Sequence, residues 1–399
     1  MNSVTAIEKF SKLDLNKARF AVAAMFFING AAVATWISRI PAVQQSLHLN
    51  TGMLGIALLS MAVGAVFSMP LSGVLVTRYG SRPVTSWSMI LSCAVLPFPA
   101  MCSTLPTLCL TIAILGVCLS CMDVAMNAHA VCVERLFGRP IMSSFHALFS
   151  IAGIAGAILG SITEWLKLST LTHFSTAAVV LVLAGLAIKG LLLPASEDSR
   201  GEQKGSRSTV TIYNNKYLAI LSLITFACFL NEGAMGDWTG VYLKDVLHTP
   251  SSFWPLGYAA FATAMSLGRL SGDRLNEQFG AASLVRTGAV IASGGLIIAL
   301  TMPSPVVALL GFAAVGAGLS NIVPIMFTAA GNAPDVEAGK GIATVSVIGY
   351  LGLLAGPPII GFAAEYIQLP MAMGFILLMC VVIFTFAGTV RNQRQPLKP

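Results

Sequence analysis

The sequence predicts an all-α protein that crosses a membrane many times. Only 10% of the 399 residues are charged and 56% are hydrophobic, which gives a mean hydropathy of +0.82. Apolar runs of about 20 residues, the length that spans a bilayer as a helix, recur along the chain. These runs do not alternate apolar and polar residues as membrane β-strands do, so the spans must be helices.

Twelve such runs can be placed, and glycine- and proline-rich turn signals separate most of them. The expected spans are 19–45, 52–76, 83–102, 106–133, 141–166, 170–193, 217–244, 254–277, 284–302, 305–330, 341–366 and 370–390. The polar stretch 194–216 is interpreted as a cytoplasmic linker. It divides the chain into an N-terminal six-helix bundle, 1–193, and a C-terminal six-helix bundle, 217–399.

The distribution of basic residues predicts the orientation of the spans. With both termini in the cytoplasm, 20 of the 23 lysines and arginines fall on the inner side, as the positive-inside rule requires. The basic N-terminus followed by an apolar run resembles a signal peptide, but the run continues to about Ile40 and is interpreted as an uncleaved first span. The net charge of +7 lies in short loops rather than on one face, which argues against a nucleic-acid partner.

The residues that usually carry catalysis or bind metals are not arranged for either task. Cys118 and Cys121 form a Cys-x-x-Cys pair, but no second pair or histidine cluster accompanies it. The sequence lacks His-x-x-x-His, Gly-x-Ser-x-Gly and Walker patterns. We therefore expect no metal, no cofactor, no enzymatic activity and no ATP-driven pumping. A membrane enzyme or a receptor remains as a non-transport alternative, although the longest polar segment is too short for a soluble signalling domain.

The two halves of the chain contain similar sequence segments. Span two ends in a segment from Gly73 to Arg82, and span eight ends in a similar segment from Gly268 to Arg274. Spans five and eleven both carry glycine stripes, which we expect to pack against a neighbouring helix of the same bundle. Two six-helix repeats are an architecture typical of transporters.

At these motifs the chain resembles the major facilitator superfamily. The loop pattern Gly-x-x-x-Asp-Arg-x-Gly is matched at Gly73, Arg78 and Gly80, with Thr77 in the position of the acid. Further segments are similar to a fucose-permease-like branch of uncharacterised bacterial inner-membrane proteins: 122–127 with Glu134 and Arg135, 143–146, 231–233 with Asp237 and Trp238, and Tyr350 with 356–358. The resemblance implies the major facilitator fold, an inner-membrane location, transport by alternating access and a monomer.

Fucose permease couples sugar entry to protons through buried carboxylates on spans one and four. Here span four has Asp123, but span one offers Asn29 and no acid. The sugar substrate and its coupling scheme therefore do not transfer directly.

Ionisable groups inside spans are costly and are functional candidates by default. Asp123 and Glu232 lie near the middle of their spans, where a carboxylate can take up and release a proton. Asn127 follows Asp123 by four residues and shares its helix face. The remaining candidates for binding substrate or protons are Asn231, Asp237, Asn29, His146 and Asn321. A structural hydrogen bond is the alternative for each, and Asp237 is also a candidate for an outer gate with Arg39 or Lys244.

Charges near the inner ends of the spans are candidates for gating. In related proteins such charges pair across the halves, and alternating access breaks and remakes them. The gating candidates are Arg78, Asp273, Arg274 and Glu134. The alternative is that these charges only set the orientation of the spans in the membrane. Trp36 and Trp238 lie near the expected outer interface. They are interpreted mainly as belt residues, and stacking on a substrate ring is the alternative.

The sequence thus favours a secondary transporter that moves a small polar solute, such as a sugar or a related metabolite, with protons as the coupling ion. The alternative is a proton-driven efflux antiporter for amphipathic compounds, because the repeat from Gly352 to Gly361 resembles an antiporter motif. The cavity candidates are Asn, Asp, Glu and His, which favour a polar substrate.

Overall fold

The computed structural model describes residues 12–138, 141–194, 215–334, 336 and 338–390, apart from a few side chains within helices. In that part of the chain every regular element is a helix. The first half contains α1 Lys12–Ser46, α2 Thr51–Tyr79, α3 Ser81–Val95, α4 Leu105–Phe137, α5 Met142–Trp165 and α6 Thr170–Ile188. The second half contains α7 Lys216–Asp245, α8 Trp254–Phe279, α9 Ala281–Thr301, α10 Pro305–Leu319, α11 Ile322–Gly331, α12 Ala338–Ile367, α13 Leu369–Met373 and α14 Phe375–Phe386.

Eleven helical stretches in the described chain are long and apolar enough to cross a membrane. The expected eighth span also forms a helix, α8, of 26 residues. It does not count among the eleven, because Arg269 and further charges lower its hydropathy. Two expected spans are not single helices: the tenth breaks between α10 and α11, and the twelfth between α13 and α14 at Gly374.

Local capping explains where several helices begin and end. Thr104 accepts a hydrogen bond from the Thr107 N–H at the start of α4, and Gly138 ends α4 with a φ of 68°, a conformation that glycine adopts without strain. Asn215 accepts from two backbone N–H groups at the start of α7. These side chains satisfy backbone groups that a helix end leaves unpaired.

The described chain divides into two compact units. The first contains the described residues of Met1–Leu49 and Ala57–Lys204, and the second those of Asn50–Ile56 and Gly205–Pro399. The division falls within the stretch expected to be a linker, most of which lies outside the described residues. The first turn of α2 belongs to the second unit, because its residues pack on the end of α12.

Glycines allow the closest helix contacts within each unit. A Cβ added at Gly156 of α5 would lie 2.6 Å from the Ala34 Cβ of α1, and one at Gly356 of α12 would lie 3.1 Å from the Leu230 carbonyl oxygen of α7. A Cβ at Gly352 would collide with the backbone of Phe226. The expectation that the glycine stripes pack on a helix of the same bundle is therefore confirmed for Gly156, Gly352 and Gly356.

The outward faces of the helices are apolar. Phe67 on α2 is 77% exposed and Leu270 on α8 is 78% exposed. A water-soluble protein rarely exposes so many large apolar side chains, whereas lipid contact favours them. Inside the first unit, His129 is buried and accepts a hydrogen bond from the Leu193 N–H, while its other ring nitrogen bonds Ser81. These bonds connect α4 to the start of α3 and to the segment that follows α6.

Candidate functional site

The second unit places an ion pair among its helices. Glu232 lies on α7 and Arg269 on α8, and the Arg269 Nη2 donates to the Glu232 Oε1 at 2.9 Å. Glu232 follows Lys216, the first residue of α7, by 16 residues, which is about 24 Å along the helix axis. The Glu232 side chain is 18% exposed and that of Arg269 is 39% exposed, so the pair is accessible rather than sealed in the core.

The position of Arg269 corrects a sequence-based expectation. Arg269 is one of the 20 basic residues that the sequence assigned to the inner side of the membrane, but it lies well inside α8, ten residues before the end of the helix at Phe279. Glu232 compensates its charge there. A paired cation is far less costly at this depth than an isolated one.

Arg269 also bonds to the segment that interrupts the tenth span, between α10 and α11. Its Nε donates to the Ser320 carbonyl at 3.3 Å, directly after the last residue of α10. A cation at a helix C-terminus is favoured by the helix dipole. Asn321 strengthens the same junction, because its Nδ2 donates to the Gly268 carbonyl at 3.1 Å and to the Ser320 Oγ at 3.0 Å.

The Asn321 side chain also lies directly against α8 at Gly272. A Cβ at Gly272 would collide with the Asn321 Oδ1, so a larger residue there would force the Asn321 side chain to move. Asn321, a sequence candidate for substrate binding, therefore holds α8 against the break between α10 and α11. A discontinuous helix beside a charged pair is a recurrent feature of transporter binding sites.

Two further ionisable groups, Tyr258 and Asp237, belong to the same unit. Tyr258 lies close enough to Glu232, Arg269 and Asp237 for their charges to act on its phenol. It precedes Arg269 by 11 residues, so both side chains lie on one face of α8. Asp237 is half-buried and has no hydrogen-bond or ion-pair partner among the described residues. The second unit thus groups two acids, a phenol and a guanidinium.

Asn231, next to Glu232, faces a different part of the unit. It is fully buried, and its Nδ2 approaches the Ile376 carbonyl at 3.4 Å and the Cys380 Sγ at 3.5 Å on α14. Its Oδ1 is buried without a hydrogen-bond partner in the described chain. The structure therefore places Asn231 in the α7–α14 contact rather than with the ion pair.

The first unit carries the second acidic candidate. Asp123 and Asn127 are both half-buried on α4. The Asn127 Nδ2 donates to the Asp123 carbonyl at 2.8 Å and to its Oδ1 at 3.2 Å. The shared helix face predicted from their spacing is confirmed.

Two other candidates of the first unit lie beside aromatic and sulfur atoms. Asn29 is 2% exposed, and its Nδ2 donates to the Met126 Sδ at 3.7 Å. The His146 side chain is exposed, and its ring packs edge-on against Phe26 with centroids 5.1 Å apart. Asn29 thus joins α1 to α4, and His146 joins α5 to α1.

The two units repeat one motif at the matching helices α1 and α7. Asn29 precedes Trp36 by seven residues, and Asn231 precedes Trp238 by seven. Each asparagine donates to a sulfur atom, Met126 Sδ or Cys380 Sγ. Each tryptophan is buried with its indole N–H unpartnered in the described chain. The tryptophans are core residues, so their interpretation as belt residues was wrong.

Arg39, which the sequence offered as a partner of Asp237 in an outer gate, is bonded within the first unit. It is 2% exposed, and its Nη1 donates to the Glu164 Oε1. Its Nε donates to the His173 Nδ1 at 3.0 Å, and its Nη2 donates to the Thr163 Oγ1 at 3.0 Å and the Leu168 carbonyl at 3.1 Å. This buried network ties α1 to α5 and α6. Lys244 pairs with its neighbour Asp245.

The gating candidates make few ion pairs in the described chain. Arg78 is exposed and lies over the Tyr79 ring at 5.3 Å, and Arg274 is exposed; neither has a described ion-pair partner. The side chain of Asp273 lies outside the described residues. Glu134 caps α5, because its Oε2 accepts from the backbone N–H groups of Ile141 and Met142 at 2.7 Å each.

Sequence patterns missed several polar contacts. Glu365, near the end of α12, accepts hydrogen bonds from the Thr51 Oγ1 at 2.7 Å and the Gly52 N–H at 2.8 Å. Tyr258 and the pairing of Glu232 with Arg269 were also missed, because residue spacing on one helix does not reveal partners on another. The described residues contain no group of three or more His, Cys, Asp or Glu side chains that could hold a metal ion.

Comparison with known proteins places the chain in one family. The Major Facilitator Superfamily matches residues 21–334. An uncharacterized MFS-type transporter of Yersinia pestis is 36% identical over 365 residues, which cover 92% of this chain and 94% of the relative. Membrane protein MosC of Rhizobium meliloti is 35% identical over 368 residues, 91% of this chain and 88% of the relative.

Solved structures share the fold at low sequence identity. A mutant of the nucleoside transporter NupG has a TM-score of 0.79 at 14% identity and covers 94% of this chain and 100% of its own. A bacterial homolog of the human lysosomal transporter Spinster, in an inward-facing and occupied conformation, has a TM-score of 0.74 at 14% identity, with coverage of 95% and 97%. With its all-helical fold and repeated halves, the chain belongs to the major facilitator superfamily and is a multi-pass membrane transporter rather than an enzyme.

Proposed function

We propose that this chain is a secondary active transporter that moves a small polar solute by alternating access and couples this movement to protons. The observation that supports the proposal best is the ion pair between Glu232 and Arg269. Charged groups at membrane depth are retained where they bind substrate or relay protons. Asp237 and Tyr258 extend the polar character of this site, which favours a polar solute over an amphipathic one.

Protonation of Glu232 supplies the coupling step. The ionised carboxylate accepts from the Arg269 Nη2, whereas the neutral acid has no charge to hold the guanidinium. The bond from the Arg269 Nε to the Ser320 carbonyl does not involve Glu232. A proton therefore alters the site without unfolding the junction between α8 and α10.

Asp123 is the proton- or substrate-binding candidate of the first unit, and Asn127 orients its carboxylate. We propose gating roles for Arg78 and Arg274, which are exposed and have no ion-pair partner in the described chain. We also propose that the protein is a monomer in the inner membrane, with both termini in the cytoplasm.

The test is a thermal-shift screen of the purified protein at pH 6 and pH 8 with sugars, sugar acids, nucleosides, amino acids and amphipathic drugs. A ligand at 100 times its Kd stabilises the fold by about 2.7 kcal/mol. If binding requires neutral Glu232, stabilisation is larger at pH 6 and declines as the pH rises. Glu232→Gln should remove this pH dependence.

Glu277→Gln is the matched control, because Glu277 is an exposed glutamate on the neighbouring α8. It should leave the pH dependence intact. A pH dependence that survives Glu232→Gln would refute the coupling role. Stabilisation by amphipathic drugs alone would favour the efflux alternative.

A further inference from the structure

Several N–H groups of the Arg269 guanidinium donate no hydrogen bond to a described residue. An arginine side chain carries five N–H groups, and those of Arg269 bond to two acceptors, the Ser320 carbonyl and the Glu232 Oε1. No other described residue accepts a hydrogen bond from it. Its side chain is 39% exposed, so a small molecule can reach the unused donors.

The fixed end of Arg269 makes this group a preformed receptor. The bond from its Nε to Ser320 anchors the guanidinium to the end of α10, and Asn321 fixes α8 at the neighbouring Gly268. The remaining edge of the guanidinium can bind a planar group of two oxygens through two parallel hydrogen bonds. The group that occupies part of this edge is already a carboxylate, that of Glu232.

We propose that the transported solute carries a carboxylate and that this carboxylate replaces Glu232 on Arg269. The inference rests on the proposed function, since it names the substrate class of the same site. One proton binds the Glu232 carboxylate and makes it neutral, and the solute carboxylate then forms the ion pair with Arg269. The reverse exchange releases the solute and the proton, so the net charge of the site is the same before and after.

The charges around the site favour a monoanion. Arg269 is the single cation at the ion pair among the described residues, so one negative charge on the solute balances it. A dianion such as a phosphate monoester would bring a second negative charge without a second cation to balance it. The other titratable groups near enough to Glu232 for its charge to act on them are Cys228 on α7 and Tyr258 on α8, and Cys380 on α14 lies beside Cys228.

Acetate, a small external carboxylate, tests this exchange in place of the transported solute. Glu232→Ala removes the resident carboxylate and leaves Arg269 in place. Acetate should then bind at pH 7.5 and produce a saturable rise in Tm of about 2–4 °C. Acetamide, which has the same shape and no charge, should produce no saturable rise, and sodium chloride controls for ionic strength.

The double variant Glu232→Ala with Arg269→Gln identifies the receptor. Acetate should lose its effect on this variant. An equal response to acetate and acetamide, or an acetate response that persists without Arg269, would overturn the inference. Where Glu232→Ala fails to fold, Glu232→Gln takes its place in the same comparison, because it conserves the volume of the side chain.

Uptake into proteoliposomes separates this inference from the proposed function. With an inward proton gradient, gluconate and glucose form a matched pair of probes with and without a carboxylate, as do glucuronate and its methyl ester. Uptake of the acids supports both proposals. Proton-driven uptake of the neutral partners alone would overturn the inference that the solute carries a carboxylate. The proposal of proton-coupled transport would still stand.

Discussion

The buried network around Arg39 predicts a large loss of stability when one partner is removed. Glu164→Leu leaves the guanidinium of Arg39 in place at 2% exposure without its anion. Removal of one member of a buried ion pair costs about 3–5 kcal/mol. By contrast, an average hydrogen bond between membrane helices contributes only about 0.6 kcal/mol.

Removal of both charges should restore much of the loss. In the double variant Arg39→Met with Glu164→Leu no unpaired charge remains, and the apolar side chains fill a similar volume. Thr163 and His173 can bond each other, since the Thr163 Oγ1 and the His173 Nδ1 are already 3.3 Å apart. The Leu168 carbonyl loses its donor, so we expect a net cost of about 1–2 kcal/mol.

The assay is reversible unfolding in mixed micelles with increasing SDS, followed by far-ultraviolet circular dichroism. The wild type, both single variants and the double variant give a double-mutant cycle. A cost of about 0.6 kcal/mol for Glu164→Leu would refute the reasoning, because it would equal that of an ordinary interhelical bond. A double variant less stable than both single variants would refute it as well.

Three further predictions concern packing, access and capping. Gly352→Ala should lower the free energy of unfolding by about 1–3 kcal/mol, because the added Cβ meets the backbone of α7. The control Gly294→Ala should be nearly neutral in the same SDS titration, since nothing lies within 4 Å of the added Cβ. Equal costs for the two variants would contradict the packing argument. Asp123→Cys, in a variant without the eight native cysteines, should react with a membrane-impermeant thiol reagent; a cysteine that stays unreacted in whole cells and in inverted vesicles counts against an accessible Asp123. Glu134→Ala should destabilise the fold by about 0.5–2 kcal/mol through loss of the α5 cap, whereas the exposed Glu277→Ala should change stability by less than about 0.5 kcal/mol; similar values for the two would argue against capping.

The fold was predictable because the membrane imposes it. Backbone groups in lipid must be paired within a helix, so apolar runs of sufficient length identify the helices directly. The break in the tenth span was not predictable, because Ser320 and Asn321 are ordinary residues in an apolar run. Arg269 on another helix supplies the partner that makes the break tolerable.

The candidate site was predictable in its acids and not in its contacts. Composition alone marks Glu232 and Asp123, since charge inside a span is rare. The same rule did not identify the role of Arg269, because α8 carries several charges and looked like a span with a basic inner end. Asn29 and Asn231 have the same polar chemistry as true ligands, and only the structure shows that they bond to neighbouring helices.

The repeated Asn and Trp motif of α1 and α7 limits how a duplicated chain can diverge. When the two motifs are aligned, Glu232 takes the register position of Gly30. A side chain at Gly30 would collide with the backbone of Phe149 on α5, so the first half cannot acquire an acid at this position unless α5 moves away. Close packing at Gly30 therefore restricts an acid at this register position to the second unit, and the candidate acid of the first unit, Asp123, stands on a different helix, α4.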